Sequence, residues 1–145
     1  MTTILHKPFT TEWRGKPPHM LKPDVPVWYR FLEKNSSLFQ SLYYDCLLGA
    51  PDLDQEEEKD PLKRMWRFNI SKRADAIATT NNYVWIIEVA DDPGLRALGQ
   101  LQVYRSLWLQ DPVIDKMERL DLVCETIDPH LTAACIQHGI NVHVV

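Results

Sequence analysis

No apolar run in this chain approaches the roughly 20 residues that cross a membrane as a helix. The opening stretch MTTILHKPFTTEWRGKPPHM also lacks the apolar core, roughly 7–15 residues long, of a secretory leader. The expectation is a protein that works, or is assembled, inside a cell. Cysteine is scarce: Cys46, Cys124 and Cys135 are odd in number, far apart, without CxxC spacing, and set in apolar segments. That excludes a disulfide framework and disfavours a structural zinc site, leaving buried free thiols. Excess positive charge is missing too. The net charge is −4, so the chain as a whole is no polycation drawn to nucleic acid or membrane. Internal repeats and low-complexity tracts are absent.

What is present fits one α/β domain. A length of 145 residues with 45% apolar content supports a single core. Charge is unevenly placed. Residues 52–60 (DLDQEEEKD) carry six acids and one lysine, while residues 63–73 (KRMWRFNISKR) hold five basic residues and no acid. The basic strip can meet phosphate, or it can guard a strand edge.

Residues 1–26 hold five of the ten prolines and no sustained period. They read as an extended arm ahead of a domain spanning 27–145. Its apolar anchors, among them Phe9 and Trp13, need a surface, on the chain's own domain or on another subunit. Beyond the arm the pattern predicts a helix over 27–34 capped by Asp24, a strand over 40–48 closed by Gly49, and an acidic loop over 50–62. Strands follow at about 65–80 and 83–89. A helix then runs from Pro93-Gly94 to about 109, with Ala97, Leu101, Tyr104 and Trp108 on its apolar face. The chain ends in a strand at 120–125, a helix at 129–138 capped by Asp128, and a strand at 140–145. This order, α-β-β-β-α-β followed by α-β, implies a central mixed sheet flanked by helices.

The sharpest expectation comes from Asn81-Asn82. Asparagine tolerates positive φ, so this pair suits a two-residue hairpin turn. Thr80 then faces Tyr83, and cross-strand partners sum to 163. Asp75 falls opposite Glu88, Ile77 opposite Ile86 and Arg73 opposite Ala90, all on one face. Ala74, Ala76 and Ala78 go to the other face, against Val89, Ile87 and Trp85. Carboxylates placed that way repel unless a divalent cation, a cationic side chain or a shared proton compensates. Asp75 and Glu88 are therefore candidate metal ligands, or partners of a neighbouring arginine. Gln100 and Tyr104, four apart on the next helix, can close over the pair or bond locally. The five histidines (6, 19, 130, 138, 143) show no ligand spacing and read as surface or helix-end residues.

The segment RADAIA…WIIEVA followed by ALGQLQVY resembles the core of the PD-(D/E)xK nuclease superfamily, closest to its RecB-like branch. The YYDCLLG segment resembles phage-encoded members. The resemblance implies a restriction-endonuclease-like core. It makes Asp75 the metal-binding aspartate and Glu88 the glutamate of the E-x-K element, with Gln100 and Tyr104 as the helical pair. Its departure is Ala90, which stands where that element has lysine. An alanine neither orients water nor offsets charge on phosphate. Arg73 and Arg96 could return positive charge, though arginine is no general base; both can equally be ion-pair partners of nearby acids. Lys72, Arg73 and Arg96 are the candidate nucleic-acid contacts. The expectation is an inactive nuclease-like domain in an assembly, in a phage particle or host cytoplasm, with no cofactor and with Phe9 and Trp13 meeting other subunits. An active Mg²⁺-dependent DNA nuclease and a DNA-binding module without chemistry are the alternatives.

Overall fold

The computed structural model describes residues 2–145. Helix α1 (Asp24–Asn35) leads through a 3-10 turn into strand β1 (Ser41–Leu48). Two helices follow, α2 (Gln55–Lys59) and α3 (Pro61–Ile70), then the hairpin strands β2 (Lys72–Thr79) and β3 (Tyr83–Val89). Helix α4 (Arg96–Gln110), strand β4 (Met117–Cys124), helix α5 (Pro129–Gln137) and strand β5 (Ile140–Val144) complete the chain. The five strands lie in the order β1-β2-β3-β4-β5. The first two pairings are antiparallel and the last two, bridged by α4 and α5, are parallel. This is the mixed, helix-flanked α/β sheet that the element order implied.

Each face of the sheet has its own core. Val84, Ile86, Leu120 and Leu122 pack under α4 and α5, meeting the Ala97, Leu101, Tyr104, Trp108 stripe of α4. Trp85, Ile87, Ala76 and Ala78 pack under α1, against Trp28, Phe31 and Leu32. Small alanines on β2 leave room for the large side chains of β3 and α1. Ala74 departs from the expected alternation and joins the α4 side, with Cys46. The cause lies next door. Asp45 takes a left-handed φ of 50°, and there β1 changes faces: Leu42 and Tyr44 point to the α1 core, Cys46 and Leu48 to the α4 core.

The predicted hairpin register holds where the strands pair. Ala76 faces Ile87, Ile77 faces Ile86, Ala78 faces Trp85 and Thr79 faces Val84, each summing to 163. At the C-terminal end, Asp128 caps α5 as expected, its carboxylate accepting from the His130 and Leu131 N–H groups.

Several expectations fail. Residues 65–70 are helical, not the start of a strand. The alternation in MWRFNI concealed a helix start at Asp60-Pro61, where the Asp60 carboxylate accepts from the Leu62 N–H. The acidic stretch is not all loop, because Asp54 and Glu57 form a reciprocal capping box that opens α2. Asp24 does not cap α1; it sits in the first turn, with Pro23 before it. The arm binds its own domain. Ile4 pairs with Leu47 and Phe9 with Leu42, running antiparallel along the free edge of β1. The Phe9 ring meets Tyr44 at 4.9 Å and Trp13 at 4.7 Å. These bridges supply the backbone partners that a proline-rich arm otherwise lacks, and they cover a sheet edge that would be open to other chains.

Candidate functional site

The sheet forks at Asp75. On one side the β1–β2 ladder passes from Tyr44–Ala76 to Cys46–Ala74 and skips the Asp45–Asp75 level. On the other, β2–β3 pairing ends at Ala76–Ile87. Beyond that point β3 stays with β4, through Glu88–Leu122 and Val89–Val123, while β2 stays with β1 through Arg73–Leu47. The gap opens a cleft of about 390 Å³ whose walls include Asp24, Asp75, Glu88, Ala90, Arg96, Gln100 and Tyr104. Asp75 and Glu88 therefore share a face, as the register required, although no ladder joins them directly.

Asp75 reaches across the fork. Its Oδ2 accepts a hydrogen bond from the Val89 N–H at 2.8 Å, replacing the lost ladder bond. Asp24 acts similarly from α1, its Oδ1 accepting from the Asp91 N–H at 2.9 Å. Burial, the first cause, raises the Asp24 pKa above the usual carboxylate range. Glu88 lies deeper. Burial first, and then the adjoining Asp75 carboxyl, hold its pKa well above the carboxylate range, with Tyr104 opposing. One of its oxygens, Oε2, is buried with no hydrogen-bond partner. Tyr104 is pushed up in turn by burial and by Glu88, and drawn back by the Arg96 charge. The environment thus disfavours two separate anions and favours a proton shared between Asp75 and Glu88, or a cation beside them.

The cations do not sit where the hairpin placed them. Arg73 does not face Ala90; it pairs with Leu47, and its guanidinium goes to Asp45 (3.8 Å), to His19 Nδ1 (2.8 Å) and over the Phe68 ring (4.3 Å). Among the described residues neither Arg73 nor Arg96 forms an ion pair with Asp75 or Glu88. Lys72 lines an adjoining hollow with Arg96, Gln100 and Val103, not the cleft itself. The basic strip of 63–73 is broken up by the fold. Lys63 pairs with Glu57 at 3.9 Å and Arg67 with Glu58 at 2.6 Å.

Two further cleft residues, Asp24 and His19, carry no functional signal in the sequence. Asp24 read as a cap because its partner, Asp91, is remote in the chain. His19 sits in the proline-rich arm, where no local pattern marks it; it reaches the cleft with a φ of 66°.

A metal fits this site in part. No group of three or more His, Cys, Asp or Glu among the described residues is arranged to hold an ion. The donor set is the Asp75–Glu88 pair, with the open Glu88 oxygen. Magnesium accepts such a set, since one or two carboxylates suffice when water and substrate phosphate fill the remaining positions.

Among solved structures, the chain aligns with the crystal structure of a repair endonuclease from Pyrococcus abyssi, at 10% identity and a TM-score of 0.45. The alignment covers 90% of this chain and 49% of that one, so this chain spans about half that protein's length. No family model and no curated protein sequence matches the chain.

Proposed function

We propose that this is a nuclease-like domain that does not cleave nucleic acid and serves as a structural component of an assembly, of the kind found at the neck or portal of a phage particle. One observation carries the absence of cleavage. The cleft has the carboxylates that resemble those of PD-(D/E)xK nucleases, but among the described residues no lysine lines it, and Ala90 does. Its two arginines cannot take a proton from water, and Arg73 is already engaged with Asp45 and His19. His19 also lines the cleft, but its Nδ1 is against the Arg73 guanidinium, and burial holds Glu88 toward its protonated form, so neither stands ready to activate water.

The test is a cleavage assay on single- and double-stranded DNA with Mg²⁺ or Mn²⁺, comparing the wild type with Asp75→Asn. The asparagine keeps an acceptor for the Val89 N–H, so a loss of cutting would not merely report misfolding. The expected result is background cleavage by both. Robust cutting by the wild type, lost in the variant, refutes the reading.

A second reading has its own support. The open Glu88 oxygen and the convergence of Asp75, Gln100 and Tyr104 suit a metal-dependent deoxyribonuclease. Asp75 and Glu88 would hold Mg²⁺, which would supply Lewis-acid polarisation of a phosphate. In that case Arg96, which forms no ion pair among the described residues, would offset charge on the phosphate, and Gln100 would help orient it.

A further inference from the structure

The arm supplies part of the cleft wall. His19 and Leu21, both from the arm, line the cleft together with Asp75, Glu88 and Arg96. Apolar packing holds this segment on one side, where Pro17 and Met20 are buried and Met20 joins the core under α1. On the other side His19 Nδ1 lies 2.8 Å from Arg73 Nη1 on β2. Among the described residues, that is the one hydrogen bond from residues 17–22 to the sheet. The Met20 N–H turns back to Pro17, and the Leu21 and Lys22 carbonyls accept from the first turn of α1. His19 makes its bond from a left-handed φ of 66°. That conformation is unfavourable for histidine and persists only while the surroundings enforce it.

We infer that the His19–Arg73 bond is a pH-sensitive latch: the neutral imidazole holds the arm against the cleft, and protonation of His19 releases it. The chemistry allows one closed arrangement. A guanidinium only donates, so Nδ1 must accept. Only the neutral ring, with its proton on Nε2, has a lone pair there. The protonated ring is a donor at both nitrogens, and the bond is lost. Protonation also sets two like charges side by side. His19 is exposed, so solvent screens that repulsion. Screening does not restore the missing acceptor.

The charged groups around the bond do not change that outcome. Asp45 on β1 lies 3.8 Å from Arg73 Nε, and its Oδ1 is buried without a hydrogen bond. An imidazolium reaching it would first displace the arginine. His6, also on the arm and also felt by Asp45, adds only further positive charge when it protonates. The cleft brings Asp24, Asp75, Glu88 and Asp92. A ring drawn to any of these acids has left Arg73, so the latch is open either way. The open arm accepts a proton that the closed arm cannot, so falling pH shifts the population toward open. Opening removes the His19 wall from the cleft and leaves Arg73 Nη1 without its partner. The latch does not depend on what the cleft does: DNA cleavage would overturn the functional reading above and leave the latch standing.

The experiment is amide hydrogen exchange at residues 19–22 of the full chain, at about pH 7.5 and about pH 5, on either side of the usual histidine value near 6.5. The wild type is compared with His19→Asn and His19→Ala at each pH, so the intrinsic pH dependence of exchange cancels. Asparagine keeps a neutral acceptor close to the position of Nδ1, tolerates the left-handed φ and has no proton to gain. It should stay protected at both pH values. Alanine has no acceptor and should exchange fast at both. The wild type should match asparagine at the higher pH and exchange at least about tenfold faster than asparagine at the lower. Circular dichroism confirms that each protein is folded. A wild type that keeps pace with His19→Asn at both pH values overturns the inference, because any opening is then caused by other groups. So does His19→Ala as protected as the wild type at the higher pH, because the bond then holds nothing. Either variant decides the matter if the other fails to fold.

Discussion

Replacing Glu88 with glutamine should make the protein more stable at neutral and alkaline pH, and the gain should grow with pH. Burial and the Asp75 carboxyl hold the Glu88 pKa above its unfolded value, and Oε2 has no donor to stabilise an anion. The folded state then binds more protons than the unfolded state, so stability falls as pH rises. The loss begins at the unfolded glutamate pKa, about 4.3, and continues until the folded pKa is reached. Within that window one group contributes a slope of about −1.4 kcal/mol per pH unit, whatever the size of the shift. From about pH 5 to pH 7 the cost is therefore on the order of 3 kcal/mol, a large share of a typical 5–15 kcal/mol. Glutamine preserves shape and has no charge to lose. The assay is urea denaturation of both proteins at several pH values, with m compared to confirm a common unfolding reaction. The difference in stability should be small near pH 4 and widen upward. Parallel curves would mean that Glu88 is ionised in the folded protein and would refute the shared proton. Millimolar Mg²⁺ that flattens the wild-type curve, but not that of Glu88→Gln, would favour the metal-dependent alternative.

Removing residues 2–22 should destabilise the domain by several kcal/mol, by roughly 1.5–3 kcal/mol for each large anchor lost. It strips Phe9 and Trp13 from Tyr44 and the Ile4 and Phe9 bridges from β1, and thermal melts of the truncated chain check it. Asp121→Ala should cost about 3–5 kcal/mol. Asp121 is fully buried and accepts from Arg119 and His143, so the variant strands the Arg119 guanidinium over Trp85; denaturant titration measures it. Gly49→Ala should cost about 1–2 kcal/mol, because φ is +66° and a new Cβ would come within 2.9 Å of the Leu107 side chain.

The sheet was legible because its signals are local. The Asn81-Asn82 turn sets the β2–β3 register, the α4 stripe has helical spacing, and Asp128 caps α5. What the sequence hid depends on contacts between distant residues. Alternating M-W-R-F-N-I reads as a strand, but as a helix it turns Phe68 toward Arg73 and His6 and leaves Met65, Trp66 and Ile70 exposed. The arm looked partnerless because its ladder lies about 40 residues away, on β1. Asp24 finds Asp91 only once α1 lies beside the end of β3. The hairpin sum extended past Ile87 put Arg73 beside Ala90, but the two strands diverge before reaching that level, and arginine follows β1 to Asp45.

That divergence of the strands also gives the carboxylates work apart from chemistry. Where β3 leaves β2, the Val89 N–H loses its ladder acceptor, and Asp75 Oδ2 takes that place. Where the chain turns away after β3, the Asp91 N–H is held by Asp24 Oδ1. Each bond satisfies a backbone donor that would otherwise cost about 1–3 kcal/mol if buried unpaired. A lysine at position 90 would satisfy no such donor. The fold therefore requires acceptors at 24 and 75 whether or not the cleft cuts nucleic acid, and makes no matching demand at 90. A chain that has aspartate at 75 and alanine at 90 is what this geometry allows when the sheet must stay intact and the reaction need not occur.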